Sequence, residues 1–538
     1  MLALAFQALN DARDVSEAFV MSTPKIQLDD TNSSMASQIE DDVFEKLKNK
    51  SNHRKNEDDL NARVSAQHNK AQERLAELVD DNSSLPVTVS SVRILNANRT
   101  RRGFLQRVVN PILSAKNAGE YTLQDCLSEV GKATETLNRF GIFKQPIKVF
   151  LDRPDPTLAT SSPTDVDVYI HATERGTYTI KTGTEAGASE ADAYVHAELR
   201  NLFGGAETLN AHGSLGTRTR SAYSLAFDTP ILSNPDFKFQ ANGFASSTLK
   251  SWASHEETQK GGNSKLLWQA KNGSQHEFGY SGIWRQVTGL AEKASPTVRA
   301  DAGDSFKSSV THTWLNDQRD YPLLPNKGYL MKTVSELAGG PLGGDVSFWR
   351  SEAESQVALP FGDTGITLTA GLRGGLLYPL AQRGSSTAQH SRINDRFQLG
   401  GPTNVRGFRL SGLGPHDGPD AVGGDLYAAG GASLLFPVPK VGKETPLRLQ
   451  AFINGGRLLS LKNPDKEGKA MDSAAVQKSV KQAVDSLSDG LPSTTAGFGI
   501  VYAHPVARFE INFSLPLVLR AREEARKGLS FGVGVEFL

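Results

Sequence analysis

The 538-residue chain has one cysteine, Cys126, so no internal disulfide can hold the fold. It also lacks a charge of one sign. Fifty-nine basic residues balance fifty-nine acidic ones, which removes the electrostatic argument for a nucleic-acid partner. No run of about 18 apolar residues occurs, which excludes a membrane-spanning helix. A membrane is not thereby excluded, because barrel strands alternate and average out as mildly polar; the mean hydropathy is −0.36. The first twenty residues lack a basic segment and carry Asp11, Asp14 and Glu17 early. They fit neither a secretory signal nor an Arg-rich transit peptide. Phosphate-loop, G-x-S-x-G, H-E-x-x-H and C-x-x-C patterns are missing too. The histidines, among them His171, His196 and His212, form no ligand set. The expectation is therefore no enzyme, no cofactor and no metal.

What is present falls into three parts. Residues 1–84 are polar, with helix formers but weak apolar periodicity, and read as a solvated, partly helical or disordered extension. Residues 85–174 run strand, helix, helix, strand, strand, a small α+β domain. Leu123, Leu127, Val130 and Leu137 fall at helical spacing there, and Cys126 beside them reads as a small buried side chain. Residues 175–538 read as about sixteen strands. In "RFEINFSLPL", Phe509, Ile511, Phe513, Leu515 and Leu517 face one way and Arg508, Glu510, Asn512 and Ser514 the other. An even set of roughly ten-residue strands with that alternation predicts an antiparallel transmembrane β-barrel. A soluble sandwich is disfavoured, since no helices remain to cover so large a sheet and the strands exceed the usual length.

Two loops break the rhythm, a Gly-rich one at 379–423 and one at 462–492 containing "MDSAAVQKSVKQAVDSL", a short helix by its pattern. The first contains "FQLGGPTNVRGFRLSGLGPHDG". Its glycines allow close backbone approach, Arg406 offers five donors in a rigid fork and Phe408 a large apolar anchor. A loop folded into the lumen and a free surface loop both fit these residue types.

"NVRGFRL" followed by "GGDLYAAGGASLLFPVP" resembles the loop and next strand of the BamA-type outer-membrane assembly superfamily. The 85–174 module resembles that family's POTRA domain. "AELRNLFGGAETLNAHGSLG" and "YSLAFDTPIL" resemble its early barrel strands. One such module, no signal peptide and about sixteen strands look most like the core barrel of the mitochondrial sorting and assembly machinery. The resemblance spans roughly residues 87–538.

It implies an insertase in the mitochondrial outer membrane, with the N-terminus and POTRA in the intermembrane space. Clients would be β-barrel precursors, entering through a lateral gate between the first and last strands. Lipid, and peripheral accessory subunits on the cytosolic face, are the other implied partners, and a homo-dimer is admitted. The lumen motif carries over onto Arg406, Gly407 and Phe408. The family's wall aspartate is Asn454 here and its preceding-strand glutamate is Leu435, so Asn454 or Glu510 becomes the candidate partner of Arg406.

The first gate strand would hold Thr177, Thr179, Lys181, Gly183 and Thr184. The last would hold Ser530, Gly532, Val533, Gly534, Val535 and Phe537. Interior strand glycines cost about 0.5–1 kcal/mol each relative to alanine, so this seam is the weak one. An edge that opens is a template for strand addition. Family clients carry a polar-x-Gly-x-x-hydrophobic-x-hydrophobic signal, which Ser530, Gly532, Val535 and Phe537 match, either as the strand a client displaces or as this chain's own targeting signal. The implied mechanism is exchange, in which the client signal displaces the last strand and pairs with Thr177–Thr184. The alternative is a channel or polypeptide translocase on the same barrel, a plastid relative included. A scaffold whose POTRA recruits partners is the third reading.

Overall fold

The computed structural model describes residues 70, 74, 77, 80–114, 121–154, 162, 164–186, 191–382, 384–439, 445–461 and 471–534. Most of the polar extension, and Val535 and Phe537 of the terminal strand, lie outside these. The chain divides after Leu85, and the following unit holds all the elements below.

The small α+β module comes first: β1 (Thr88–Leu95), α1 (Arg102–Ser114), α2 (Leu123–Arg139), β2 (Lys148–Asp152) and β3 (Asp165–His171). β3 is central, parallel to β1 and antiparallel to β2. The two helices make the crossover that a parallel pair requires. α2 starts at a capping box, in which Thr122 accepts from the Asp125 amide and Asp125 accepts from the Thr122 amide. Its inner face buries Cys126, Val130 and Leu137 against Val108 and Ile112 of α1 and Val168 and Ile170 of β3. The thiol is packed as a hydrophobe, and burial pushes its pKa up.

Sixteen strands follow: β4 (Tyr178–Ala186), β5 (Ala191–Arg200), β6 (Thr208–Gly216), β7 (Thr219–Pro230), β8 (Phe237–Lys250), β9 (His255–Gln269), β10 (Gln275–Thr288) and β11 (Gly303–Asp317). The second eight are β12 (Gly328–Ala338), β13 (Phe348–Pro360), β14 (Thr367–Pro379), β15 (Leu426–Pro437), β16 (Leu447–Leu459), β17 (Ser493–Ala503), β18 (Arg508–Val518) and β19 (Gly528–Gly534). Each pairs antiparallel with its neighbour in sequence order, forming one sheet. Every run read from the sequence is a strand, but some are longer than the apolar signal. β9 starts at His255, well before its apolar stretch Leu266–Trp268, because "HEETQKGGN" pairs with both β8 and β10 despite its polarity.

One observation identifies the solvent. On β18 the apolar Ile511, Phe513, Leu515 and Leu517 are 40–56% exposed, while Arg508, Glu510, Asn512 and Ser514 are at most 6% exposed. Apolar-out and polar-in is the reverse of a soluble domain and matches a wall facing lipid. No helix among the described residues is long and apolar enough to cross a membrane.

The sheet curls upon itself. The loop after β14 touches Glu257 of β9 through Asn394, Arg285 of β10 through Asp395, and Glu510 of β18 through Arg406. In a flat sheet, β9 and β18 would stand about 43 Å apart at ordinary strand spacing. The loop therefore fills the interior. The loop after β16 adds α3 (Ser473–Ser488), capped by Asp472, whose Ala483 packs with Leu426 and Leu461.

Candidate functional site

The strongest constellation is built by β18 and the loop tip. Alternation along β18 turns Arg508, Glu510 and Asn512 inward together. Opposite them on β19 stand Gly534, Gly532 and Ser530. Two glycines facing two charged residues leave the interior volume to guanidinium groups.

Arg406 takes that volume. Its Nε donates to Glu510 Oε2 at 2.8 Å and its Nη2 to Oε1 at 3.1 Å, a bidentate pair. Arg406 is 1% exposed and Glu510 fully buried. Arg508 Nη2 approaches Glu510 Oε1 at 2.6 Å. Asn512 Nδ2 and Gln450 Nε2 donate to Oε2 at 2.7 and 3.2 Å. The Arg406 guanidinium also lies 5.1 Å from the Phe452 ring centroid. One carboxylate thus serves two buried cations, which compensates their desolvation only while it stays ionised and bonded.

Asn454 does not touch Arg406 directly. Thr495 Oγ1 lies 2.6 Å from Asn454 Oδ1 and 2.5 Å from the Arg406 carbonyl. One hydroxyl proton cannot serve two acceptors, so the amide satisfies the geometry by presenting its NH2 to Thr495 while Thr495 donates to Arg406 O. Leu435 is buried among Leu323 and Val501 and stands opposite Gln450, so it lines the charged cluster as an apolar wall and offers Arg406 no carboxylate. The carboxylate that meets Arg406 comes from β18 instead.

Gly407 and Phe408 lock the tip. Gly407 has φ +81°, and a Cβ there would lie 2.7 Å from Thr495 Cγ2. Its carbonyl accepts from the Arg526 amide at 2.8 Å, and the Arg409 amide donates to Glu524 O at 3.0 Å. Phe408 bridges to Ala525 and packs with Val405, Leu399 and Leu413. The loop is therefore hydrogen-bonded to the turn between β18 and β19.

The first strand is different. Thr179, Lys181 and Gly183 face inward opposite Glu198, His196 and Tyr194 of β5, and Thr184 faces outward. Tyr178 and Ile180 are 73% and 66% exposed. Thr177 precedes the strand, where its carbonyl accepts from the Arg200 amide. On β19, Ser530, Gly532 and Gly534 face inward and Val533 outward. The described residues contain no ladder between β4 and β19.

Sequence reasoning missed Arg508, Gln450 and Thr495 as members of the network, although the alternation of β18 had put Arg508 on the face of Glu510. It also missed the joint between module and barrel. Glu207, 4% exposed, pairs with Arg101 and accepts the Gly205 and Phe203 amides. Arg139, at the end of α2, pairs with Asp236. Single acids within turn-rich segments gave no periodic signal to follow.

Residues 201–537 match the model of the Omp85 superfamily domain. The chain is 37% identical over 468 residues to a SAM50-like protein of Schizosaccharomyces pombe, covering 86% of this chain and 94% of that protein. It is 31% identical over 464 residues to the human sorting and assembly machinery component 50 homolog, covering 84% and 91%. Among solved structures, BamA from Haemophilus ducreyi lacking POTRA domains 1–3 superposes with a TM-score of 0.65 at 14% identity, over 83% of this chain and 84% of that one. That last likeness is one of fold.

Proposed function

The chain belongs to the Omp85 superfamily, in company with the component 50 homologues of the sorting and assembly machinery, and from that premise we propose that it folds β-barrel precursors into the mitochondrial outer membrane. The client enters between β4 and β19, and its C-terminal strand takes the place of β19 beside β4. The βααββ module serves as a POTRA domain in the intermembrane space. Accessory subunits bind the opposite, cytosolic face.

The observation that carries this reading is the asymmetry of the two terminal strands. The last hairpin is held by a buried bidentate ion pair and by backbone bonds to the lumen loop. On the first strand the inward-facing Thr179 and Gly183 are only partly buried and Lys181 is exposed. A fixed edge beside a yielding one lets a barrel open at one seam without losing its shape. An exposed strand edge offers unpaired N–H and C=O groups that select an incoming strand by register. No nucleotide is required in this mechanism. Burial of the client's apolar face in lipid and closure of its backbone bonds supply the driving force. A plain channel has no use for a loop that fills its interior, which favours the insertase over the conducting pore.

The test uses the single thiol. Cys126 is replaced, and Thr179→Cys and Val533→Cys are made separately. A barrel precursor with one cysteine in its C-terminal strand is imported and oxidised during assembly. Crosslinks at position 179 that vanish when the client signal is scrambled are the expected result. Normal client assembly without crosslinks at either position would overturn the seam mechanism. A Leu529–Leu538 deletion that folds and still inserts clients would overturn strand exchange alone.

A further inference from the structure

The foot of β4 carries two arginines that the seam mechanism has not used. β4 begins at Tyr178, seven residues after β3 ends, so its first residues lie at the module end of the barrel. Neighbouring strands in this sheet are all antiparallel. A strand added to β4 in the same sense therefore runs toward the module, and its C-terminal end arrives beside Thr177 and Tyr178. If that strand ends the client's chain, an α-carboxylate arrives there with it.

The Arg99 guanidinium stands at that point. Its Nε donates to Glu174 at 3.2 Å, one Nη to the Thr177 hydroxyl and the other to the Arg175 carbonyl at 3.3 Å. A guanidinium has five N–H donors. Two are left over among the described residues, on a side chain that is 53% exposed. Glu174 does not consume them, because its carboxylate is already filled by the Arg99 and Thr100 amides and the Thr100 hydroxyl. It works as the clamp that orients Arg99, with a side chain only 8% exposed. Arg175, exposed and next in sequence to Glu174, has its backbone carbonyl on the Arg99 guanidinium and adds a second guanidinium to this segment. Nearby Arg200 is engaged by Glu198 in a two-point pair, Arg101 by Glu207 and Arg99 itself by Glu174, which leaves Arg175 as the excess positive charge beside the two unused donors of Arg99.

We propose that Arg99 and Arg175 form a receptor for the free C-terminal carboxylate of the client strand that pairs with β4. The proposal rests on the strand-exchange reading and adds to it a stop. Backbone pairing alone allows slippage by two residues at equal polarity. A charge-assisted contact at the strand's last atom fixes which residue lies opposite Tyr178. Capture of a terminal carboxylate by convergent donors is an established mode of peptide recognition.

The experiment uses the full chain in phosphatidylcholine–phosphatidylethanolamine nanodiscs. Two peptides of one client C-terminal strand are compared, one ending in the free acid and one in the amide. Each peptide carries one cysteine, and binding is read by its disulfide crosslink to Thr179→Cys, formed with an added oxidant in the chain whose Cys126 is replaced. The acid should bind about fivefold tighter than the amide, near the upper end for a solvent-reached ion pair. The advantage should shrink in Arg175→Gln, disappear when Arg99→Gln is added, and fade at about 1 M salt, where charges are screened within about 3 Å. Arg175→Gln, at an exposed residue, keeps the test available if the Arg99 change disturbs the joint. Equal binding of acid and amide by the unaltered protein would overturn the receptor while leaving the strand-exchange reading intact. Failure of both peptides to crosslink would overturn that reading, and the receptor with it.

Discussion

The last three strands and the first three are made of the same alternating pattern, yet their inner faces are in opposite states. On β17 and β18, Ser493, Thr495, Glu510, Asn512 and Ser514 are at most 1% exposed, because the loop after β14 lies against them. On β4 and β5 the inward residues Thr179, Tyr194 and His196 remain partly exposed, and Lys181 is exposed. The difference is not one of strand propensity. It lies in what fills the lumen beside each set. A loop of some 45 residues places its arginine, glycine and phenylalanine against one side and leaves the other to water. The lesson is that a barrel can be made rigid by one inserted loop, and that the end left without it is where movement is cheapest.

Removing the carboxylate should break this comparison most severely. Glu510→Ala strands Arg406 and Arg508 in the interior, where an uncompensated buried charge costs about 3–5 kcal/mol. The expected result is loss of the heat-resistant folded band in semi-native electrophoresis, with the last hairpin becoming as protease-accessible as β4. Thr179→Ala on the opposite side should leave that band unchanged. Next is Gly407→Ala. Its φ of +81° and a 2.7 Å approach to Thr495 Cγ2 make any side chain strained there. A cost of about 1–3 kcal/mol should free the tip without unfolding the wall, and hydrogen exchange should rise at Arg409 and Glu524 but not in β4–β6.

A gentler change sharpens the contrast from the other side. Gly183→Val adds a branched side chain whose Cβ would lie 2.9 Å from the Tyr194 hydroxyl, so the partly exposed Tyr194 ring must turn aside, and the β-branched residue should then stiffen the first strand. Client crosslinking at position 179 should then slow by a few-fold, while the melting of the barrel is unaltered or raised. The smallest effect concerns the module. The Thr122 hydroxyl and amide hold the Asp125 carboxyl below its usual pKa. A depressed pKa gives stability that is present above about pH 4 and is lost as pH falls through the lower folded value. Acidification below about pH 4 should therefore lower the exchange protection at the start of α2, and Asp125→Asn should remove that pH dependence.

How much of this was legible in advance differs by element. The sixteen strands were readable because a lipid-facing wall imposes a two-residue period that survives in any single strand, as in Phe509 to Leu517. The helix in the loop after β16 was readable from its spacing, and the burial of Cys126 from the helical repeat around it. Strand limits were less so, since the start of β9 is polar on both faces and only its neighbours make it a strand. The candidate site was half visible. Arg406, Gly407 and Phe408 stood out among glycines, and Glu510 stood on a predicted inner face, but nothing local joins residues 104 positions apart.

The sequence by itself determined the class of wall, because alternation records which solvent each face must meet, residue by residue. It also determined which residues were chemically fit to meet, a planar cation and an inward carboxylate. Only the tertiary structure decided that they do. The choice between Asn454 and Glu510 turned on a loop folding inward rather than outward and on where its tip meets the wall, with Arg406 on the β18 carboxylate and its carbonyl on Thr495. Those are matters of volume and chain path, fixed by contacts between distant segments, and no window of sequence contains them.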